Sequence, residues 1–330
     1  MKTDHPRQIA RRKFIGGTAG VLTVGLAGKL AWDYLKPQAH ADVFIASAAA
    51  YDSSLENIIR RGLLGLGISR DWVRGKSVLL KPNLVEPNLA APHINTHPAV
   101  IRATAEVFRS LDAREIHVAE GQGHCRDTDW VLEESGLGPV LDEAGIPFVD
   151  LNVDDLFTIQ NRSRKTPLRE LWLPQTLQRA DLLVSMPKMK THHWVGITLS
   201  MKNMFGVMPG AIYGWPKNLL HQVGIAESIL DIVAGIKPHL AIVDGITGME
   251  GDGPIMGTPK QSRVLVMGRN LPAVDATCAR LMGVDPARIS YLADAAGVLG
   301  PIQERFILQR GENPAPLAKS YKMPPGIVLA

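Results

Sequence analysis

The stretch SVLLKPNLVEPNLAAPHINTHPAVIRATAEVFRS, residues 77–110, holds one complete unit of the fold. An apolar, β-rich run from Ser77 to Lys81 ends on Lys-Pro-Asn, a long polar loop follows, and Pro98 opens a helical pattern that continues to Ser110. Proline suits that first turn, because its missing N–H would have no helical partner there. Strand, polar loop and helix recur on both sides of this unit. Upstream, Val43 to Ala46 is predicted as a strand. It precedes an amphipathic helix over 53–66, with Leu55, Ile58, Ile59 and Leu63 on one stripe. Downstream, strands are predicted at 115–119, 148–151, 182–186, 240–244 and 263–267, and helical segments within 129–144, 219–236, 273–282 and 290–298. Such alternation argues for an α/β fold with a mostly parallel sheet, helices on both faces and a Rossmann-like organisation. A charged stretch from Asn161 to Thr166 reads as an exposed loop or hairpin, and marks a seam near 160–170 that would separate two lobes. The α/β domain is predicted over 42–312, with 313–330 as a Pro-rich extended tail.

The chain has 330 residues, 45% apolar and 21% charged, the profile of a globular protein with a sizeable core. Its net charge of +4 is unevenly placed. Residues 1–41 carry seven Lys/Arg and two Asp/Glu, which leaves 29 basic against 30 acidic residues in the remainder. The clustered positive charge of a nucleic-acid-binding protein is therefore not expected, and nucleic acid is excluded as a partner.

The first segment has a different reading. Arg11 and Arg12 precede Lys13-Phe14-Ile15, a moderately apolar Gly/Ala/Val/Leu run extends from Gly16 to Trp32, and Ala39-His40-Ala41 supplies a small-x-small site. That order predicts a twin-arginine signal peptide over 1–41, cleaved before Asp42, with the twin-arginine translocase as partner and a periplasmic destination. The alternative is an uncleaved anchor, but Lys29, Asp33 and the glycines make a poor bilayer span, so no stable span is expected after cleavage. The route carries folded proteins and suits one that takes up a metal or an organic, nucleotide-derived cofactor first. Cysteine-ligated iron–sulfur chemistry is excluded within the chain, since Cys125 and Cys278 are its two cysteines. Whether they pair is open at this level.

In a parallel α/β sheet, ligands gather beyond the carboxyl ends of the strands. The polar residues at those positions form a consistent set: Lys81, Asn83, Asn95 and His97 after one strand, and Glu120, Gly121, Gly123 and His124 after the next. Lys188, Lys190, Thr191, His192 and His193 follow Met186, and Asp244, Glu250 and Asp252 follow Val243. Between Ala180 and Gly210, cationic groups including Lys202, with Asn203 beside it, are interleaved with Gly196, Gly206 and Gly210. Basic side chains near glycine backbone suit a phosphate or carboxylate, because glycine lets N–H groups approach an anion closely. Lys81, Asn83, His97, Glu120, Gly121, Lys188, Lys190 and Asn203 are thus candidate cofactor-binding residues. Asp244, Glu250 and Asp252 could hold a divalent cation with a histidine, or form a solvated glycine-rich turn.

Several segments together resemble the family known as domain of unknown function 362: LLKPNLV (79–85), THPAVIRATAEVFR (96–109), VAEG (118–121), the 180–210 segment and VDGITGMEGDGP (243–254). Many members carry a ferredoxin-like cysteine module, which this chain lacks. A more distant resemblance links His192, Gly196, Lys202 and Pro209-Gly210 to the nickel-pincer lactate racemases. It implies His192 as proton-transfer residue and Lys202 as anchor of a nickel-bearing nucleotide, with Leu199-Ser200 standing where a Gly-Gly pair is usual. Imidazole suits such a role because it gives and takes protons near neutral pH. His192, Lys202 and His193 are the candidate catalytic residues. These features lead to the expectation of an exported, cofactor- or metal-dependent enzyme acting on a small anionic ligand. The alternatives are a periplasmic carrier of such an anion, or an accessory subunit that would need a redox partner.

Overall fold

In the computed structural model, residues 40–325 and 327 are described. The signal-peptide reading of residues 1–41 lies almost wholly outside them. The strands are β1 (Ala41–Ser47), β2 (Ser77–Pro82), β3 (Glu115–Glu120), β4 (Phe148–Asp150), β5 (Leu156–Gln160), β6 (Glu170–Pro174), β7 (Leu182–Met186), β8 (Lys188–His192), β9 (Gly196–Thr198), β10 (Leu240–Glu250), β11 (Thr258–Gly268) and β12 (Ile307–Gly311). All except β5 and β6 join one sheet, with the path β12-β1-β11-β10-β7-β2-β3-β4; β8 pairs with β10, and β9 pairs with β8. From β10 through β7, β2 and β3 to β4 every pairing is parallel, and β11 runs antiparallel to both β1 and β10. The expected α/β class with a mostly parallel sheet is what the chain adopts.

Strand side chains alternate between faces, and the two cores record it. Val78, Leu80, Val184, Leu240 and Ile242 pack beneath the helices Leu55–Gly65 and Pro98–Ser110. Leu79, Leu183, Ala241 and Val243 pack on the opposite face with the helices Ile225–Ile236 and Leu271–Leu281. Burial on both faces explains why these strands read as apolar runs. The segment 161–169 is the loop of the β5–β6 hairpin. Buried Asp231 organises it, accepting hydrogen bonds from Asn161 Nδ2 (2.6 Å), Thr166 Oγ1 (2.7 Å) and the Lys165 and Thr166 N–H groups (2.9 Å each). Leu171 and Leu173 of that hairpin share a buried cluster with Ile229 and Val233.

Four local expectations differ from the structure. The helix predicted over 219–236 is two helices, Asn218–Gln222 and Ile225–Ile236, separated at Gly224, whose φ of +108° is costly for any residue with a Cβ. The glycine- and acid-rich loop after Asp244 is largely strand: β10 and β11 continue as a hairpin to Glu250 and Thr258, with an irregularity between Gly245 and Thr247. β8 was hidden because two of its side chains are lysines, and β12 because it pairs at the sheet edge with β1, far away in sequence. After β12 the chain is tied down. Tyr321 Oη and Ser262 Oγ are 2.9 Å apart, and Lys322 N–H donates to Glu250 Oε2 at 3.0 Å. Among the described residues no helix is long and apolar enough to cross a membrane.

Candidate functional site

At the carboxyl ends of β2, β3 and β8 the structure encloses a cavity of about 360 Å³, within the range of small-molecule sites. Its floor is a buried ion pair. Lys81 follows Leu80 near the end of β2, and its Nζ donates to Glu120 Oε2 (2.6 Å), Pro82 O (2.8 Å) and Asn203 Oδ1 (3.0 Å). Glu120 also accepts from the backbone N–H groups of Leu84 (3.2 Å) and Gly121 (3.0 Å). Asn203 Nδ2 returns to Lys81 O and Ser185 Oγ, so the helix Ser200–Asn203 is clamped to the ends of β2 and β7. Asp275 holds the other end of that helix, accepting from Ser200 N (2.8 Å) and Met201 N (3.0 Å). Burial raises its carboxyl to about 7, against those hydrogen bonds.

Three further lysines line the cavity, and none forms an ion pair among the described residues. Lys190 is fully buried on β8 and donates to the carbonyls of Ile94 (3.0 Å) and Pro254 (3.1 Å). Lys217 has a left-handed backbone and donates to Asn152 Oδ1. Lys202, in the last turn of its short helix, lays its ammonium 3.9 Å from the centre of the Phe205 ring. Burial, joined by like charge from neighbouring lysines, pulls Lys190 and Lys202 down to about 7; burial likewise brings Lys217 to about 8.

The opposite wall is imidazole and indole. His192 is buried, and its Nδ1 accepts from Trp194 N–H at 3.1 Å, which leaves Nε2 to carry the proton of the neutral ring. Burial first, and then Lys202, His193, Lys190 and His221, hold its pKa well below the usual value. His193 Nδ1 lies 3.6 Å from Asp252 Oδ1, and the Trp194 ring contacts His193 and His221 edge-on at 4.6 and 5.0 Å. Three buried polar atoms of cavity-lining residues, Asn83 Oδ1, Gln122 Oε1 and Thr198 Oγ1, have no hydrogen-bond partner among the described residues. Such atoms are costly to leave unpaired.

Of the remaining sequence candidates, all but Asp252 fall elsewhere. Lys188 and Asp244, both fully buried, pair at 2.5 Å beside the cavity in a closed network. Tyr51 Oη donates to Asp244 Oδ1 (3.1 Å), His97 N–H donates to Asp244 Oδ2 (3.0 Å), and the Tyr51 and His97 rings stack at 3.7 Å. His97 Nδ1 caps the helix Pro98–Ser110 by accepting from Ala99 N–H, and burial lowers its pKa to about 4. Lys188 and His97, expected as cofactor-binding, are therefore committed to joining β8, β10 and two loops. The proposed metal set is corrected as well. Asp244 is saturated by that network, Glu250 holds Lys260 and the backbone of Lys322, and Asp252 faces His193. Among the described residues no three His, Cys, Asp or Glu side chains gather as a metal would require. Cys125 is exposed, Cys278 is buried, and both are free.

Thus Lys81, Asn83, Glu120, Gly121, Lys190, His192, His193, Lys202, Asn203 and Asp252 share one cavity, whereas His97, Lys188, Asp244 and Glu250 do not line it. Sequence reasoning missed Lys217, His221, Gln122 and Thr198. Only the punctuation Gly214-Trp215-Pro216 before Lys217 hinted at a special backbone.

Gly206 decides whether the floor can form. A Cβ there would clash with Glu120 Oε1 and lie 2.6 Å from Lys81 Nζ. Gly206→Ala is expected to split the ion pair and lower stability by about 3 kcal/mol, measured by urea unfolding; an unchanged midpoint would show that the pair is not closely packed.

Comparison with known proteins gives the following similarities. The thylakoid-associated protein sll1697 of Synechocystis sp. is 28% identical over 256 residues, covering 76% of this chain and 77% of that protein. The lactate racemase apoprotein from Thermoanaerobacterium thermosaccharolyticum aligns at 12% identity with a TM-score of 0.43, over 75% of this chain and 58% of that one. A protein from Thermotoga maritima aligns at 14% identity with a TM-score of 0.35, over 69% and 59% respectively. The chain thus spans less than two thirds of the length of either solved structure. The family model described as Domain of unknown function (DUF362) matches residues 78–280, from β2 to the helix that carries Asp275, and on that match the chain belongs to the DUF362 family.

Proposed function

We propose that this protein is an exported enzyme whose cavity binds a small anion, with His192 as the proton-transfer residue. The observation that carries the reading is the convergence of Lys190, Lys202 and Lys217 on one cavity without a carboxylate of their own. Glu120 is already matched by Lys81, and Asp252 faces His193 rather than a lysine, so the three remaining ammonium groups have no carboxylate paired with them. A carboxylate or phosphate supplies what is missing: counter-charge for the ammonium groups and partners for Asn83, Gln122 and Thr198. The anionic groups of a nucleotide-derived cofactor would meet the same lysines. The Arg11-Arg12 segment supports export by the twin-arginine route. Mass analysis of periplasmic protein beginning at Asp42 checks that part, and an intact N-terminus there would contradict it.

Binding of inorganic phosphate and oxalate to the full chain, followed by isothermal titration calorimetry, tests the anion site. The ammonium groups are charged below about 7 to 8 and lose their protons above it. Affinity is therefore expected to be highest below that range and to fall as pH rises through it. Lys190→Met or Lys202→Met should each weaken binding by about tenfold, the loss of one charge-assisted contact. Binding that strengthens with pH, or that ignores both substitutions, would contradict the reading.

A further inference from the structure

The lysines in and beside this cavity differ in one respect. Lys81 donates to three oxygens, Lys188 to Asp244 and Tyr51, Lys190 to two carbonyls, and Lys217 to Asn152. Lys202 is the exception: among the described residues its Nζ has no hydrogen-bond acceptor and rests on the Phe205 ring. An amine acts as a nucleophile only through its lone pair, which is unavailable while the nitrogen is a fully hydrogen-bonded ammonium. Lys202 therefore has the placement that nucleophilic amines need: partly buried, beside other cations, and open to a cavity.

The geometry points to Lys202 Nζ as the nucleophile that forms an imine with a carbonyl compound bearing an anionic group, of which the 2-oxo acids are the simplest class. This rests on the anion-binding reading, because the carboxylate of such a ligand would pair with Lys190, whose charge is felt together with that of Lys202, while its carbonyl carbon meets Lys202. The step balances within the site. The Nζ lone pair forms the C–N bond and the carbonyl π pair moves to oxygen. That oxygen leaves as water with both protons of the neutral amine, passed on by the cavity imidazoles His192 and His221. No oxidant or reductant is consumed. With its ammonium pulled down to about 7, much of Lys202 is neutral at physiological pH.

The test uses the full-length wild-type chain, so a variant that fails to fold cannot obscure it. The protein is incubated with pyruvate or 2-oxoglutarate and sodium cyanoborohydride, and the reduced adduct is located by peptide mass mapping. Sulfate binding is measured on the same preparation by calorimetry. The expected result is one adduct per chain at Lys202, formed faster as pH rises through neutrality and suppressed by excess sulfate. An absent adduct, or one confined to exposed lysines, overturns the imine proposal. If sulfate still binds, the anion site stands without it; if sulfate does not bind, the anion reading fails as well.

Discussion

The ion pair between Lys81 and Glu120 is the constraint around which the site is built. It lies where β2 and β3 end, almost without exposure, and draws three separate stretches of chain to one point. Asn203 completes the lysine's coordination, the Leu84 and Gly121 N–H groups complete the carboxylate's, and Gly206 leaves room for both. Removing two charges from water is expensive, and apolar pairs of similar volume often match buried ion pairs in stability. Stability alone therefore does not account for placing it here. Its effect is geometric and electrostatic: it closes the cavity floor and engages the carboxylate of Glu120, which would otherwise be available to the neighbouring lysines.

Two buried polar nodes lie side by side in this molecule and differ in kind. Around Asp244 every group has a partner: Lys188, Tyr51 and the backbone of His97 and Ile246 fill the carboxylate's acceptor positions. Fully satisfied networks of this sort rigidify a structure. Around Lys202 the account is incomplete, with cations in excess and three polar atoms unmatched. The first node fixes β8 and the loops before two helices; the second is free to act on what enters.

Much of the framework was legible in the sequence because each parallel strand is buried on both faces and reads as a short apolar run. The unit 77–110 was readable almost to the residue, since Pro98 marks the helix start and Lys81-Pro82 the strand end. β8 was not legible, because its lysines break the apolar pattern while still lying in the core. β12 was missed because its partner β1 is more than 250 residues away, and pairing over that distance leaves no local signature. The strand-end rule grouped Lys81, Glu120 and His192, the glycine-interleaved run 180–210 added Lys202, and all four line the cavity. The rule did not separate them from Asp244, Lys188 and His97, since residues at strand ends can turn either into the cavity or into the packing beside it. Lys217 and His221 come from a segment with no preceding strand, so the strand-end rule had no hold on them.

Burial and repulsion by neighbouring lysines leave Lys190 and Lys202 close to losing their protons until an anion arrives. Carbon-13 NMR titration of lysines labelled at Cε, assigned through Lys190→Met and Lys202→Met, measures this directly. The account predicts two lysines titrating near 7 in the free protein and moving upward on addition of phosphate. Titration of both at the ordinary 10.5, with no response to phosphate, would contradict it.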